Sequence, residues 1–427
     1  MRVLSIYEGF FSGGARILHS DVLSGLHGRR GQQHSLLSIY GEMRREATFQ
    51  PMHEDACYRR LVADGLAVST LGRAADDRSP YSACEIERFS ALAAQTDVIV
   101  TLKEQPLGLV NRADLHGRPV ISCLHRSDPE NQGQALDDLR EAAYAGHLAA
   151  AVCCAESTRD AYAAAGIPEE LLHVIPNGVD LRRFKPSRRN RSAIRASLGI
   201  PSDAPVVVFA ARYDRMKNVP LFLAAAREFL DLRPDAHVML CGAGMTWANT
   251  GLLTDLAGLG LTAADPAAER ARPTGRVHLL GVRDDPEAIF AAADVVALTS
   301  AFGEAAPLCL IEGMLCGAVP VATDVGDCAS IVAGHGLIAE PEPTALAHAW
   351  IEALGQHAHF FQAITRNRYK FGRTRMVMSY GSLIRKTHRR SVRATGLIQV
   401  PGKGSVTLTP ASRAVPPPVV LEPIAVA

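Results

Sequence analysis

The fold of this chain is constrained most by two series of short apolar runs, each run separated from the next by a stretch with helical spacing. RVLSIY, HSLLSIY, LAVSTL, DVIVTL, RPVISCL and AAAVCC form the first series. APVVVFAARY, AHVMLCG, RVHLLG, DVVALTS and AVPVATD form the second. Short continuous apolar runs suit buried strands, and the segments between them suit crossover helices. Ala15, Leu18, Val22, Leu23 and Leu26, for example, make one apolar helical stripe. Each half therefore reads as its own parallel sheet wrapped by helices, an α/β doubly wound arrangement. At 427 residues the chain exceeds a usual single core, which agrees with two domains. The periodicity breaks in HVIPNGVDLRRFKPSRRNRSAIRASLGIP, where Pro176, Asn177, Gly178, Pro186 and a run of arginines intervene. The expected organisation is a first domain over 1–180, a hinge over 181–200 and a second domain over 201–365. The proline-rich, aperiodic stretch 394–427 is expected to be a disordered tail.

Charge excludes one class of partner. Lys and Arg total 45 against 44 Asp and Glu, so the bulk electrostatic argument for a nucleic-acid binder is absent. Nine cysteines include no Cys-x-x-Cys pair, and Cys153 and Cys154 lie in an apolar run, which points to buried free thiols. The opening MRVLSIYEGFF enters a strand at once without an h-region, and no apolar run reaches membrane-spanning length, so a cytoplasmic protein is expected. Two basic stretches complicate this. Residues 366–393 carry ten Lys or Arg and no acid, and residues 181–195 carry seven and no acid. They could hold an anionic membrane at its inner face. Mutual neutralisation across the hinge, or solvation, is the favoured alternative, because neither segment has the bulky apolar face of an interfacial helix.

The candidate site is built from loops at strand ends. In VVALTSAFGEAAPLCLIEGMLCGAVPV a buried strand runs into a loop bearing Glu304, and then into a helix with Pro307 and Leu308 at its start and Glu312 on its body. Eight residues rise roughly 12 Å along a helix, so the two carboxylates could grip different parts of one long ligand. Free N–H groups at the helix start favour a diphosphate. Arg212 and Lys217, five residues apart after the first strand of the second half, suit a leaving diphosphate, although solvated loop charges would look the same in isolation. Gly13 and Gly14 open the first helix and would let backbone N–H groups approach a phosphate. His125 ends a strand facing the other domain, and either a catalytic or a structural role suits it. Arg283 lies on a turn that could flank a base, beside Asp284 and Asp285, of which one is expected to cap the helix opening at Pro286. CGAGMTW fails the dinucleotide fingerprint, since Trp247 stands where the third glycine belongs, which disfavours NAD.

Taken in order, these features resemble the retaining glycosyltransferases of family 4, with the GT-B fold of two Rossmann-like domains facing a central cleft. The resemblance runs from about Met1 to Thr387 and rests on the glycine pair, HVIPNGVDLRRF, the Arg/Lys pair, RVHLLG, FGEAAPLCLIEG and AVPVATDVGD. It implies transfer of a sugar from a nucleoside-diphosphate sugar, UDP first and GDP second, to a hydroxyl acceptor, either a small molecule or a lipid-linked glycan. It implies Glu312 on the ribose hydroxyls, Glu304 on the donor sugar, Arg212 and Lys217 on the diphosphate, and His125 and Gly14 approaching from the first domain. It also implies a last helix, over 366–393, crossing back to the first domain. Ala305 and Ala306 depart from the glycine usual after the first glutamate, and residues 245–275 include a long segment that reads as an insert. No Asp-x-Asp occurs, so no metal is expected, and no cofactor beyond the nucleotide-sugar substrate. Two alternatives use the same site: sugar-nucleotide epimerisation or hydrolysis, and a silent nucleotide-sugar-binding protein. Oligomeric state is not encoded in any of these features.

Overall fold

The computed structural model describes residues 1–11, 13–45, 48–264 and 275–396. Residues 265–274 of the expected insert and residues 397–427 of the expected tail lie outside them.

Among the described residues, nine strands belong to the first half: β1 (Arg2–Tyr7), β2 (Gln33–Tyr40), β3 (Glu42–Arg45), β4 (Thr48–Pro51), β5 (Ala67–Arg73), β6 (Val98–Leu102), β7 (Val120–Leu124), β8 (Leu148–Cys153) and β9 (Leu172–Val174). Six belong to the second: β10 (Val206–Ala210), β11 (His237–Cys241), β12 (Val277–Gly281), β13 (Val295–Leu298), β14 (Val319–Ala322) and β15 (Leu337–Ile338). The first sheet runs β5-β2-β1-β6-β7-β8-β9 and the second β12-β11-β10-β13-β14-β15, with parallel pairing throughout both. In each, the order reverses beside the first strand, at β1/β6 and at β10/β13. Crevices for ligands open outside the carboxyl ends of strands at such reversals. The antiparallel hairpin β3/β4 and the short strands β9 and β15 were not expected from the sequence.

The strands are buried on both faces because successive side chains serve different cores. Val206 and Val208 of β10 enter one apolar cluster and Val207 and Phe209 the other. Leu4 and Ile6 of β1 likewise face away from Val3 and Tyr7. Within 181–200, Arg188–Ser197 is a helix whose Ser187 side chain caps it by accepting from Asn190 N at 3.2 Å. Its buried Arg195 donates to the carbonyls of Ala292 and Ala204 and pairs with Asp294 at 2.9 Å, tying the segment to the second domain. The last helix, Arg373–Gly396, returns to the first domain and buries Met376, Tyr380 and Ile384 in the cluster holding Leu18 and Val22. Full burial of each such side chain is worth about 1.5–3 kcal/mol, enough to hold the helix there. All nine cysteines are free thiols. Among the described residues, no helix is long and apolar enough to cross a membrane.

Candidate active site

Two loops at the β10/β13 reversal converge. After β10 the chain makes a short turn, Arg215–Lys217, capped by Asp214, whose carboxylate accepts from Met216 N at 2.8 Å. Asn218, in the left-handed region at φ 49°, ends that turn and starts the helix Val219–Leu232. The turn places Lys217 Nζ against Glu304 Oε1, and Ser300 Oγ donates to the same oxygen at 2.6 Å. Thr299 Oγ1 donates to the Lys217 carbonyl at 3.1 Å, stitching the β13 loop to the β10 loop. Glu304 is buried and Lys217 largely so. Arg212 is half-exposed and lies 3.4 Å from Asp214, which leaves its guanidinium open to a ligand.

The backbone around Glu304 is equally well partnered. Ser127 Oγ, from the first domain, donates to the Glu304 carbonyl. Asp327 N donates to the Ala305 carbonyl at 2.8 Å, and Asn177 Nδ2 to the Ala306 carbonyl at 3.0 Å. Gly326 makes this packing feasible. At φ +60° a Cβ there would sit 2.1 Å from the Glu304 carbonyl oxygen, so a side chain cannot be accommodated.

Beyond this loop, the helix Leu308–Cys316 begins after Pro307, which is its N-cap residue and provides no side-chain cap. The first turn carries no acid, so its N–H groups and dipole face the cleft uncompensated. Glu312 is the fifth residue of this helix, just over one turn from its start, while Glu304 stays on the preceding loop. Burial pushes its carboxyl up to about 8, against a lowering influence from Arg183 and with Glu287 and Asp21 adding to the rise. Among the described residues no cation lies within ion-pair distance of it.

The first domain supplies the opposite wall. Gly13 stands at the N-cap of the helix Gly14–Leu26, again without a side-chain cap. A Cβ on Gly14 would come within 3.2 Å of Leu308 Cδ1, so the glycine loop abuts the open helix start of the other domain. His125 follows β7. Burial, with a contribution from Lys103, lowers its imidazole to about 3, and its Nε2 is sheltered without a hydrogen-bond partner. It is a neutral ring with one unmet polar atom. Arg126 forks onto Asp128, with Nε to Oδ1 at 2.6 Å, and a Cβ on Gly303 would approach Asp128 Oδ2 to 3.1 Å, so this pair borders the Glu304 loop. Arg283 is placed apart. It is exposed after β12, the edge strand two positions from β10, and forks onto Asp285 at 2.8 and 2.9 Å. The expected capping is corrected here: Asp285 occupies the N-cap position of Pro286–Ala292, but its carboxylate is taken by Arg283 and makes no cap.

With this geometry in view, comparison with known proteins is informative. Residues 29–183 match the model "Glycosyltransferase Family 4" and residues 190–370 match "Glycosyl transferases group 1". The chain belongs to the family 4 glycosyltransferases. Within that group it is 32% identical to the D-inositol 3-phosphate glycosyltransferase of Corynebacterium jeikeium over 43% of this chain and 43% of that protein. It is 34% identical to the enzyme of the same name from Mycolicibacterium gilvum over 43% and 38%. The match thus spans less than half the length of these curated relatives. Among solved structures, Anabaena Alr3699/HepE in complex with UDP superposes with a TM-score of 0.72 at 22% identity, covering 90% of this chain and 100% of that one. The sucrose-phosphate synthase of Thermosynechococcus elongatus gives 0.69 at 17%, covering 92% and 100%. At these identities the likeness establishes the fold, which is GT-B.

Several residues of this family 4 chain escaped the sequence reading. Ser300, Ser127 and Asp327 look like ordinary loop residues until the tertiary structure brings them to Glu304. Asp327 also accepts from Glu156 N and Ser157 N, each at 2.9 Å, capping a first-domain helix whose own N-cap residue is Ala155. Glu104, bonded by the Tyr162 hydroxyl, has its carboxyl raised to about 7 by burial. The only available signal for these was position at a strand end.

Proposed function

We propose that this protein transfers a sugar from a nucleoside-diphosphate sugar to a hydroxyl acceptor, with retention of anomeric configuration and without a metal ion. The observation that carries this reading is the uncapped start of Leu308–Cys316, with Lys217 and Arg212 on its own side and the Gly13–Gly14 loop across the cleft. That arrangement offers a diphosphate N–H donors, a positive dipole end and two cations, and charge growing on the departing diphosphate would strengthen every one of those contacts. Glu312, with a high carboxyl affinity for its proton and no cation partner, suits hydrogen bonding to ribose hydroxyls. Glu304, fixed by Lys217 and Ser300, suits the donor sugar. His125 would lie near the transferring sugar as a neutral imidazole. The departing phosphate could take the acceptor proton on the same face.

UDP is the favoured nucleotide and GDP the second. The neighbour Alr3699/HepE was solved with UDP and with UDP-glucose, which supports that order. The acceptor class is a hydroxyl in a glycan, a glycolipid or a natural product, and the setting proposed is the cytoplasm. The test is thermal stabilisation by UDP, GDP and their sugars, followed by acceptor-dependent release of the nucleoside diphosphate with and without EDTA. A ligand at 100 times its dissociation constant adds about 2.7 kcal/mol, a clear shift. Absence of stabilisation by every nucleotide would sink the proposal. Turnover with water alone would replace it with hydrolysis.

A further inference from the structure

Away from the cleft, a second concavity of about 470 Å³ lies between the carboxyl-terminal half of Gly14–Leu26, the helix Ala56–Ala63 and the crossing helix Arg373–Gly396. Its volume falls in the ~300–1,000 Å³ range of small-ligand sites. Five arginines line it, Arg29, Arg30, Arg60, Arg373 and Arg385, against Asp21 and Asp64. Asp21 is already engaged, by Arg60 at 2.8 Å and by Arg373 at 3.2 Å. Among the described residues, no carboxylate lies within ion-pair distance of Arg29, Arg30 or Arg385.

A second observation points to a ligand independently of net charge. Ser24 Oγ, Arg60 Nε, Arg60 Nη2 and Arg385 Nη1 are all sheltered from solvent without a hydrogen-bond partner, and all belong to residues lining this one cavity. A sheltered donor left unmet costs about 1–3 kcal/mol, more when it is charged, so each of these side chains gains by turning toward an acceptor that enters the cavity. The demand is for several oxygens carrying more than one negative charge, arriving among guanidinium groups from two helices and a turn. A carboxylate brings two oxygens and one charge. A phosphoryl group brings three oxygens and close to two charges, and guanidinium forks match it.

We propose that this cavity is a binding site for a phosphomonoester or diphosphate group, separate from the donor cleft. Such a group comes either from a soluble phosphorylated metabolite or from a phospholipid headgroup, and the cavity chemistry is the same for both. The site ties the helix that opens at the Gly13–Gly14 loop to the helix that crosses between domains.

The experiment titrates inorganic pyrophosphate by calorimetry into the parent, the double variant R29Q/R385Q and the cleft variant R212Q. In parallel, each is pelleted with vesicles of phosphatidylcholine alone and of phosphatidylcholine with phosphatidic acid, whose headgroup is a phosphomonoester. Pyrophosphate binding that survives R212Q and weakens about tenfold or more in R29Q/R385Q supports the site with a soluble ligand. Pelleting that requires phosphatidic acid and is lost in R29Q/R385Q supports it with a headgroup. Loss of binding in R212Q alone, equal binding by parent and R29Q/R385Q, or no binding to either probe overturns the proposal. Unliganded melting temperatures control for folding. If the double variant melts early, R29Q alone, at an exposed side chain, repeats the titration under the same criteria.

Discussion

The loop from Thr299 to Pro307 and the helix that follows it are adjacent in sequence and opposite in character. In the loop the groups around Glu304 are answered: its carboxylate by Lys217 and Ser300, and the three carbonyls of residues 304–306 by Ser127, Asp327 and Asn177. In the helix the groups facing the cleft are unanswered, from the uncapped first turn to the carboxyl of Glu312. The contrast separates a preformed wall from a surface left open to a ligand. Stability should therefore reside in the loop and recognition in the helix.

The sharpest way to break this comparison is Lys217→Ala. Removing one partner of a buried pair leaves an uncompensated charge and costs about 3–5 kcal/mol. Loss of a preorganised donor at the diphosphate should also lower turnover by about 10²–10³. Denaturant melts and donor turnover read the two effects, and an unchanged melting profile would remove the loop from the structural side of the contrast. Arg212→Gln is the complementary case. Its Asp214 contact is exposed, so stability should move by no more than about 0.5 kcal/mol, while turnover falls by roughly 10²-fold. A melt shifted as far as that of Lys217→Ala would erase the distinction between the two cations.

Glu312→Gln should act with the opposite sign on stability. The folded carboxyl is raised to about 8 from an ordinary 4.5, so its contribution is intact below pH 4.5 and is lost as pH rises through about 8. The variant should therefore gain on the parent progressively across that window and bind nucleotide less well. A parent and variant with parallel stability–pH curves would show that Glu312 is not held in this way. Asp327→Ala tests a contact that should leave recognition untouched. It removes the cap from the first-domain helix at Glu156, worth about 1 kcal/mol, and should lower the melting temperature by a few degrees without altering nucleotide affinity.

Much of this architecture is legible in the sequence because it depends on local pattern. The apolar runs that became β1, β2, β6, β7 and β8 and β10, β11, β13 and β14 are continuous and bounded by turn residues. Pro307 marks a helix start wherever it is placed. Harder cases failed for physical reasons. β15 is two residues long, and β9 is three, inside a stretch dominated by Pro176 and Gly178. The hairpin β3/β4 is built from EMRR and TFQP, which lack apolar alternation. Asp285 could equally have capped its helix or paired with Arg283, and only side-chain geometry decides between them. Ser127 and Asp327 acquire their roles through contacts spanning up to 177 residues, which no local pattern carries, and Ser300 reaches Glu304 four residues on across an aperiodic loop.

The carbonyls of residues 304–306 have a consequence for motion. Two of their three donors, Ser127 and Asn177, come from the far side of the cleft, and Asp327 itself reaches across to Glu156 and Ser157. Displacing the domains by more than an ångström or so would sever these bonds together, since a donor beyond about 3.5 Å no longer counts as one. Opening the cleft and loosening the segment that fixes Glu304 are then a single event. A molecule built this way cannot hold the Glu304 carboxylate in place while gaping, so the poised site exists only when both halves are together.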